Sequence, residues 1–220
     1  MLSIFNIGRQ RWITHCVLAL LTVAAVFASN IFWPGLTIEH LLADALGYES
    51  LILIVFTLLI GPWQLYRDRR RKRNPVNINL RRDTGIWAGF TGVAHVLFGF
   101  TVHLGGDIKL YFLQPRAGGG WDPLINLFGV SNYIGLAATL VLLVLLLISN
   151  DFFLKKLTGP RWKLLQQSNY ILVALAVVHT FGYQFTINRE RIMTALVIAM
   201  VLLVLTAQFI GLSMVRARRR

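Results

Sequence analysis

Six apolar stretches, each close to the length that crosses a ~30 Å hydrocarbon layer, run through the chain at about 12–33, 48–65, 85–105, 128–149, 166–186 and 192–213. Within hydrocarbon every backbone N–H and C=O must find its partner inside the protein, and a helix does this for each segment separately. The predicted fold class is therefore all-α, an integral membrane bundle of six transmembrane helices. A hydrophobic content of 56% and a mean hydropathy of +0.63 agree with it. Little sequence lies outside the stretches, so residues 1–220 read as a single domain.

A net charge of +13 would point to nucleic acid in a soluble protein, but here the positions of the charges point to topology. Arg9 and Arg11 precede the first span, and eight Lys or Arg lie in RDRRRKRNPVNINLRR at 67–82. Lys155, Lys156, Arg161 and Lys163 precede the fifth span, and Arg216, Arg218, Arg219 and Arg220 form the tail. The opposite side has only Lys109, Arg116, Arg189 and Arg191, with most of the acids. By the positive-inside rule both termini are cytoplasmic in a multi-pass protein of the cell inner (plasma) membrane. Anionic headgroups of the lipid bilayer are the expected counter-charge, and no nucleic-acid partner is expected. The lone Cys16, within the first span, excludes an intramolecular disulfide and reads as packing. Val26-Phe27-Ala28 loosely fits a signal-peptide cleavage site, yet the apolar run continues through Trp33 to full spanning length.

Two histidines lie deep in apolar sequence, His95 in TGIWAGFTGVAHVLFGFTVH and His179 in YILVALAVVHTFGYQF. An ionisable group in the bilayer is costly and by default marks a functional site. With cytoplasmic termini, spans three and five run parallel. His95 then lies about 20 Å beyond Arg82 along its helix and His179 about 24 Å beyond Lys163, at 1.5 Å per residue. Gly92 and Gly99 share the helix face of His95, and Ala176 and Gly182 that of His179. Such small residues leave room for a flat macrocycle, or simply allow helices to pack closely. Neutral imidazole is a standard axial haem ligand, so His95 and His179 are the candidate cofactor-binding residues and haem-iron ligands. His103, two turns beyond His95, is the candidate contact for a haem edge or propionate. His15 reads as interfacial, and His40, beside Glu39 and Asp44, as part of an outer connection with at most weak metal affinity.

Other features carry less chemistry. Gly61-Pro62 is a plausible helix break with Trp63 and Tyr66 as interfacial aromatics, and Asn74-Pro75 leads to Asp83 or Thr84 as cap of the third helix. The connection GGDIKLYFLQPRAGGGWDPLIN lacks the lysine and strand–helix setting of a phosphate loop. It reads either as a flexible hairpin or as a loop that shields a buried site or docks a partner, with Tyr111, Phe112 and Trp121 at the interface and Lys109 and Arg116 as solvated charges or as attractors of an anionic acceptor. Trp87 and Trp162 read as interfacial anchors, and Gln208 as an interhelical hydrogen bond.

At RRDTGIWAGFTGVAHVLFGF and RWKLLQQSNYILVALAVVHTFGYQF the chain resembles the ferric-reductase-like transmembrane family, over most of its length. That family includes NADPH oxidases, ferric reductases and the haem-binding membrane subunit of a bacterial periplasmic methionine sulfoxide reductase system. The resemblance implies six spans with haem histidines on the third and fifth, here His95 and His179. Members with two stacked haems carry histidines where this chain has Arg81 and Gln166, and the sulfoxide-reductase subunit typically keeps one at the latter, so one haem b in the outer half is implied. The tail is too short for the flavin and nicotinamide domain of the oxidases.

The implied function is a haem b membrane electron carrier, either an electron-transfer subunit of an oxidoreductase acting on the outer side or a small transmembrane reductase itself, with no catalytic residues assigned. Electrons would come from a membrane quinol or a separate cytoplasmic flavin reductase, with a quinone or FMN as a further cofactor. They would pass to an acceptor or a reductase subunit on the outer side. The alternatives are a haem-free transporter or assembly factor with structural or proton-shuttling histidines, and a quinone-binding subunit of a larger complex.

Overall fold

A computed structural model describes residues 9–67, 78–157, 159–187 and 191–219. It contains α1 (Arg9–Phe32), α2 (Ile38–Arg67), α3 (Ile78–Val102), α4 (Leu127–Leu147), α5 (Asp151–Lys156), α6 (Gly159–Gln166), α7 (Asn169–Ile187) and α8 (Arg191–Arg219). Six helices are long and apolar enough to cross a membrane, α6 and α7 counting as one. The chain is a helical bundle of a multi-pass membrane protein. Asn74-Pro75, Arg189 and most of the basic run at 67–82 lie outside the described residues.

Helix α2 is the axis of the bundle: 67% of its apolar window is buried, against 11–28% for the other five. One apolar cluster joins Leu53 and Ile54 of α2 to Ala88, Leu142 and Leu172. A second joins Leu51, Val55 and Leu58 to Val197 and Val204 of α8. The remaining large apolar side chains point outward, as Leu20, Phe90, Leu140 and Phe209 do. In lipid such exposure costs little, so close packing and interhelical polar contacts hold the helices together. Cys16 belongs to the outward set; it is exposed rather than packed as the sequence suggested.

Several boundaries differ from the sequence reading. α2 starts at Ile38, ten residues before the predicted span, so Glu39, His40 and Asp44 lie on a helix and not in a connection. A hydropathy window starts where polar residues thin out, whereas helical hydrogen bonding begins earlier, with Leu41 N–H donating to Thr37 O. Pro62 does not break the helix; α2 continues through it to Arg67. Proline removes the N–H that would bond the carbonyl four residues back, here Leu58, and Gln208 Nε2 of α8 donates to that oxygen instead at 2.8 Å. Tyr170 O–H donates to the other end of the same amide, so the interhelical role expected of Gln208 holds.

Asp83 and Thr84 lie inside α3 and cap nothing. Asp83, 1% exposed, accepts two bonds from the Arg11 guanidinium, at 2.9 and 2.5 Å, and ties the start of α1 to that of α3. One turn along, Trp87 Nε1 donates to His15 Nδ1. Trp162 Nε1 donates to Ile148 O. His15, Trp87 and Trp162 are thus bonded within the protein and are not merely interfacial.

At the opposite end, α3 leads through two 3-10 turns (Leu104–Gly106 and Ile108–Tyr111) into a hairpin of β1 (Leu113–Pro115) and β2 (Trp121–Pro123). Leu113 faces Pro123, and Pro115 faces Trp121. The glycine run makes the turn: Gly118, Gly119 and Gly120 all have φ between +93° and +102°, where a Cβ is strained. Arg116 pairs with Asp122 across the hairpin and Lys109 lies over the Trp121 ring. The two cations proposed to attract an acceptor are therefore engaged within the loop. Asn126 caps α4 by accepting from Gly129 N–H at 2.8 Å.

Candidate functional site

His95 of α3 and His179 of α7 meet in one cavity, their ring centroids 6.3 Å apart and their planes 76° apart. Each ring is held by a helix beside its own. His95 Nδ1 lies 2.7 Å from Ala43 O of α2, and His179 Nδ1 lies 2.8 Å from Ser131 O of α4. A carbonyl only accepts, so Nδ1 carries the proton in both rings and Nε2 keeps its lone pair, turned away from that carbonyl.

The approach depends on two glycines that the sequence reading passed over. Gly47 follows Ala43 by one helical turn, and a Cβ there would lie 2.7 Å from His95 Nδ1 and 2.9 Å from its Cε1. Gly135 follows Ser131 by one turn, and a Cβ there would lie 2.6 Å from His179 Nδ1 and 2.7 Å from Cε1. Both imidazoles therefore sit against the same device, a helix carbonyl with glycine four residues on. Of the four small residues singled out from sequence, Gly99 opens onto empty space, and Gly92 and Ala176 line the cavity. Gly182 does not serve it; its Cβ would strike Ser131 Oγ, so it allows α7 to approach α4.

The residues present fit a haem. Two imidazoles bound to opposite faces of one metal, with bonds of about 2 Å as in other imidazole–metal sites, place their ring centres roughly 6 Å apart, the separation seen here. Protonation at Nδ1 with a backbone acceptor is the outer-shell arrangement that orients ligating histidines. Among the described residues no group of three or more His, Cys, Asp or Glu is placed to hold a bare metal ion, Glu39 and His40 included.

His103 lines the same cavity at the end of α3. Its ring is 5.7 Å from that of His40, which packs against it without lining the cavity, and 6.4 Å from that of Tyr183. A polar chain links residues of the cavity wall. Tyr183 O–H donates to Asn132 Oδ1, and Asn132 Nδ2 donates to Tyr111 O at 3.0 Å. The Tyr111 hydroxyl accepts from His103 N–H and lies 2.9 and 3.0 Å from Gly99 O and His103 O, one of which takes its proton. Burial pushes the Tyr111 phenol up from its ordinary pKa, which keeps it a donor. Asn132 and Tyr183 did not stand out in the sequence, since their partners are remote along the chain, and Tyr111, read there as an interfacial aromatic, is buried.

A second cavity lies toward the start of α3, and Arg81 and Gln166 both line it. The two positions that the resemblance pairs are thus brought together, without an imidazole.

No protein-family model matches the chain. It is similar to the protein-methionine-sulfoxide reductase heme-binding subunit MsrQ of Yersinia pseudotuberculosis serotype O:1b (strain IP 31758), at 28% identity over 170 residues, 77% of this chain and 74% of the relative. The protein of the same name from Yersinia pestis (strain Pestoides F) is 28% identical over 77% of this chain and 73% of its own length. These relatives bear out the resemblance to a haem-binding membrane subunit read from the histidine segments.

Proposed function

We propose that this chain is a haem b-binding electron-transfer subunit of a membrane oxidoreductase, and that His95 and His179 are its two axial ligands. One observation carries the reading: two intramembrane imidazoles face each other at the separation of a two-histidine metal site, each with Nδ1 tied to a helix carbonyl. The similarity to subunits named for binding haem supports it. By that likeness the electron acceptor is a methionine-sulfoxide reductase subunit, docked at the hairpin end. The basic end is cytoplasmic by its charge, and receives electrons from a membrane quinol or a separate flavoprotein.

Bound haem would supply one-electron chemistry, and with both axial positions filled by protein no open position would remain for dioxygen. The chain's own residues do the rest. Ala43 and Ser131 fix the tautomer that presents Nε2, Gly47 and Gly135 let the rings approach those carbonyls, and Gly99 and Ala176 leave space beside them. His103 would meet a propionate or the haem edge at its end of the cavity, and Tyr111, Asn132 and Tyr183 order the polar wall there.

The test is a reduced-minus-oxidised absorbance spectrum of the full chain purified from haem-replete cells. Bands of b type are expected, with loss of most bound haem in His95→Ala and in His179→Ala. Absence of such bands from the unmutated protein, or normal loading of both variants, would overturn the assignment.

A further inference from the structure

We propose that Glu49 is a proton-binding site inside the bundle, a carboxylic acid held neutral at membrane depth beside the histidine cavity. It lies on α2 against α1, 6% exposed, level with Thr22 near the middle of α1. Thr22 Oγ1 is 2.6 Å from Glu49 Oε1 and 3.0 Å from Leu18 O. A hydroxyl has one proton to give, and a carbonyl only accepts. With the threonine proton on Leu18 O, the short contact to Glu49 is made by a proton on the carboxyl, which donates to Thr22 Oγ1. An ionised Glu49 would forfeit one of these two bonds. It would also leave negative charge on Oε2, which is buried without a hydrogen-bond partner among the described residues. An unanswered charge at this depth costs far more than an unpaired neutral carbonyl.

The ionisable and polar side chains around Glu49 are turned to other partners. Arg11 and His15, farther along α1, are bonded to Asp83 and Trp87 of α3. His95 of α3 faces Ala43 O, and His179 of α7 faces Ser131 O. Asp44, five residues before Glu49, lines the cavity, and Gln184 of α7 bonds Tyr48 of α2 and Thr194 of α8. The position gives the proton a use. Gly47, whose Cβ would strike the His95 ring, precedes Glu49 by two residues, about 3 Å of helix rise. Ser50, which follows Glu49, lines the same cavity. Positive charge arriving there attracts a carboxylate and not a neutral acid. Glu49 therefore gives its proton to water when a bound haem loses one electron to the acceptor, and takes a proton up when the electron is restored. This coupling rests on the electron-transfer reading above; the binding of the proton does not.

The experiment is infrared spectroscopy of the full chain in dodecyl maltoside at neutral pH. The variant is Glu49→Gln, whose amide can donate to Thr22 Oγ1 as the acid does, and its helicity and elution volume should match the unmutated chain. The unmutated chain should show the C=O stretch of a neutral carboxylic acid, shifted in heavy water and lost in Glu49→Gln. His179→Ala should keep that band, so a failed haem assignment leaves the proton site standing. In the haem-loaded chain the band should weaken on oxidation. The midpoint potential should fall with rising pH more steeply than in Glu49→Gln, since Asp44 and His103 are common to both proteins. Two outcomes would overturn the proposal: no acid band that Glu49→Gln removes, or a band indifferent to oxidation together with equal pH slopes in the two proteins.

Discussion

An imidazole inside a bundle has two ring nitrogens to dispose of, and His95 and His179 solve the problem in the same way. One nitrogen goes to a backbone carbonyl of the adjacent helix and the other to the cavity. The carbonyl is reachable only because the residue one turn on has no Cβ. Gly47→Ala and Gly135→Ala should each push a ring off its acceptor without removing a ligand. The expected result is haem retention weaker by roughly 10–100-fold, the usual cost of losing an outer-shell partner, read as haem per protein after gel filtration. A smaller effect than in the histidine-to-alanine variants would separate positioning from ligation; unchanged retention would refute the role given to these glycines. The histidines were legible in sequence because a titratable group stands out in an apolar run. The glycines were not, because their importance lies in the register of a neighbouring helix.

Pro62 shows how one helix repairs another. Its missing N–H strands the Leu58 carbonyl, and Gln208 of α8 supplies the donor. Gln208→Leu should therefore lower stability by about 1 kcal/mol, a typical value for an interhelical hydrogen bond in a membrane, measured by unfolding in mixed micelles. In a Pro62→Ala background the same substitution should cost less, since α2 then satisfies Leu58 itself. The difference is a coupling energy of the kind a double-mutant cycle measures, and additive effects would count against the repair. The six spans were readable because apolar length is a one-dimensional signal. The start of α2 and the place of Asp83 within α3 were not. Glu39 and Asp44 lower local hydropathy without ending the helix, and Asp83 is held by Arg11, 72 residues away along the chain.

For the whole molecule, the site is a gap between two helix pairs, α2 with α3 and α4 with α7, each pair holding one histidine. The 104–126 connection joins them, passing from the end of α3 to the start of α4. Its composition told little, since glycines, cations and aromatics fit a loose loop as well as an ordered hairpin. The contacts that order it, Tyr111 to α3 and Asn132 to Tyr111, are tertiary. Tyr111→Phe keeps the ring and deletes the hydroxyl bonds to Gly99 and His103. It should weaken the tie by about 1 kcal/mol, so amide exchange through 104–126 should quicken several-fold while the centres of α2 and α4 stay protected. Equal exchange in the two proteins would show that the loop is held elsewhere.

Tyr111 touches both sides at once, α3 through its hydroxyl and α4 through its carbonyl. It therefore works as a gauge block: one residue spans the distance between the two helix pairs at the hairpin end. A change at Tyr111 should thus alter the spacing of the two pairs, and with it that of the two histidines, even though the residue lies outside the helices that carry them.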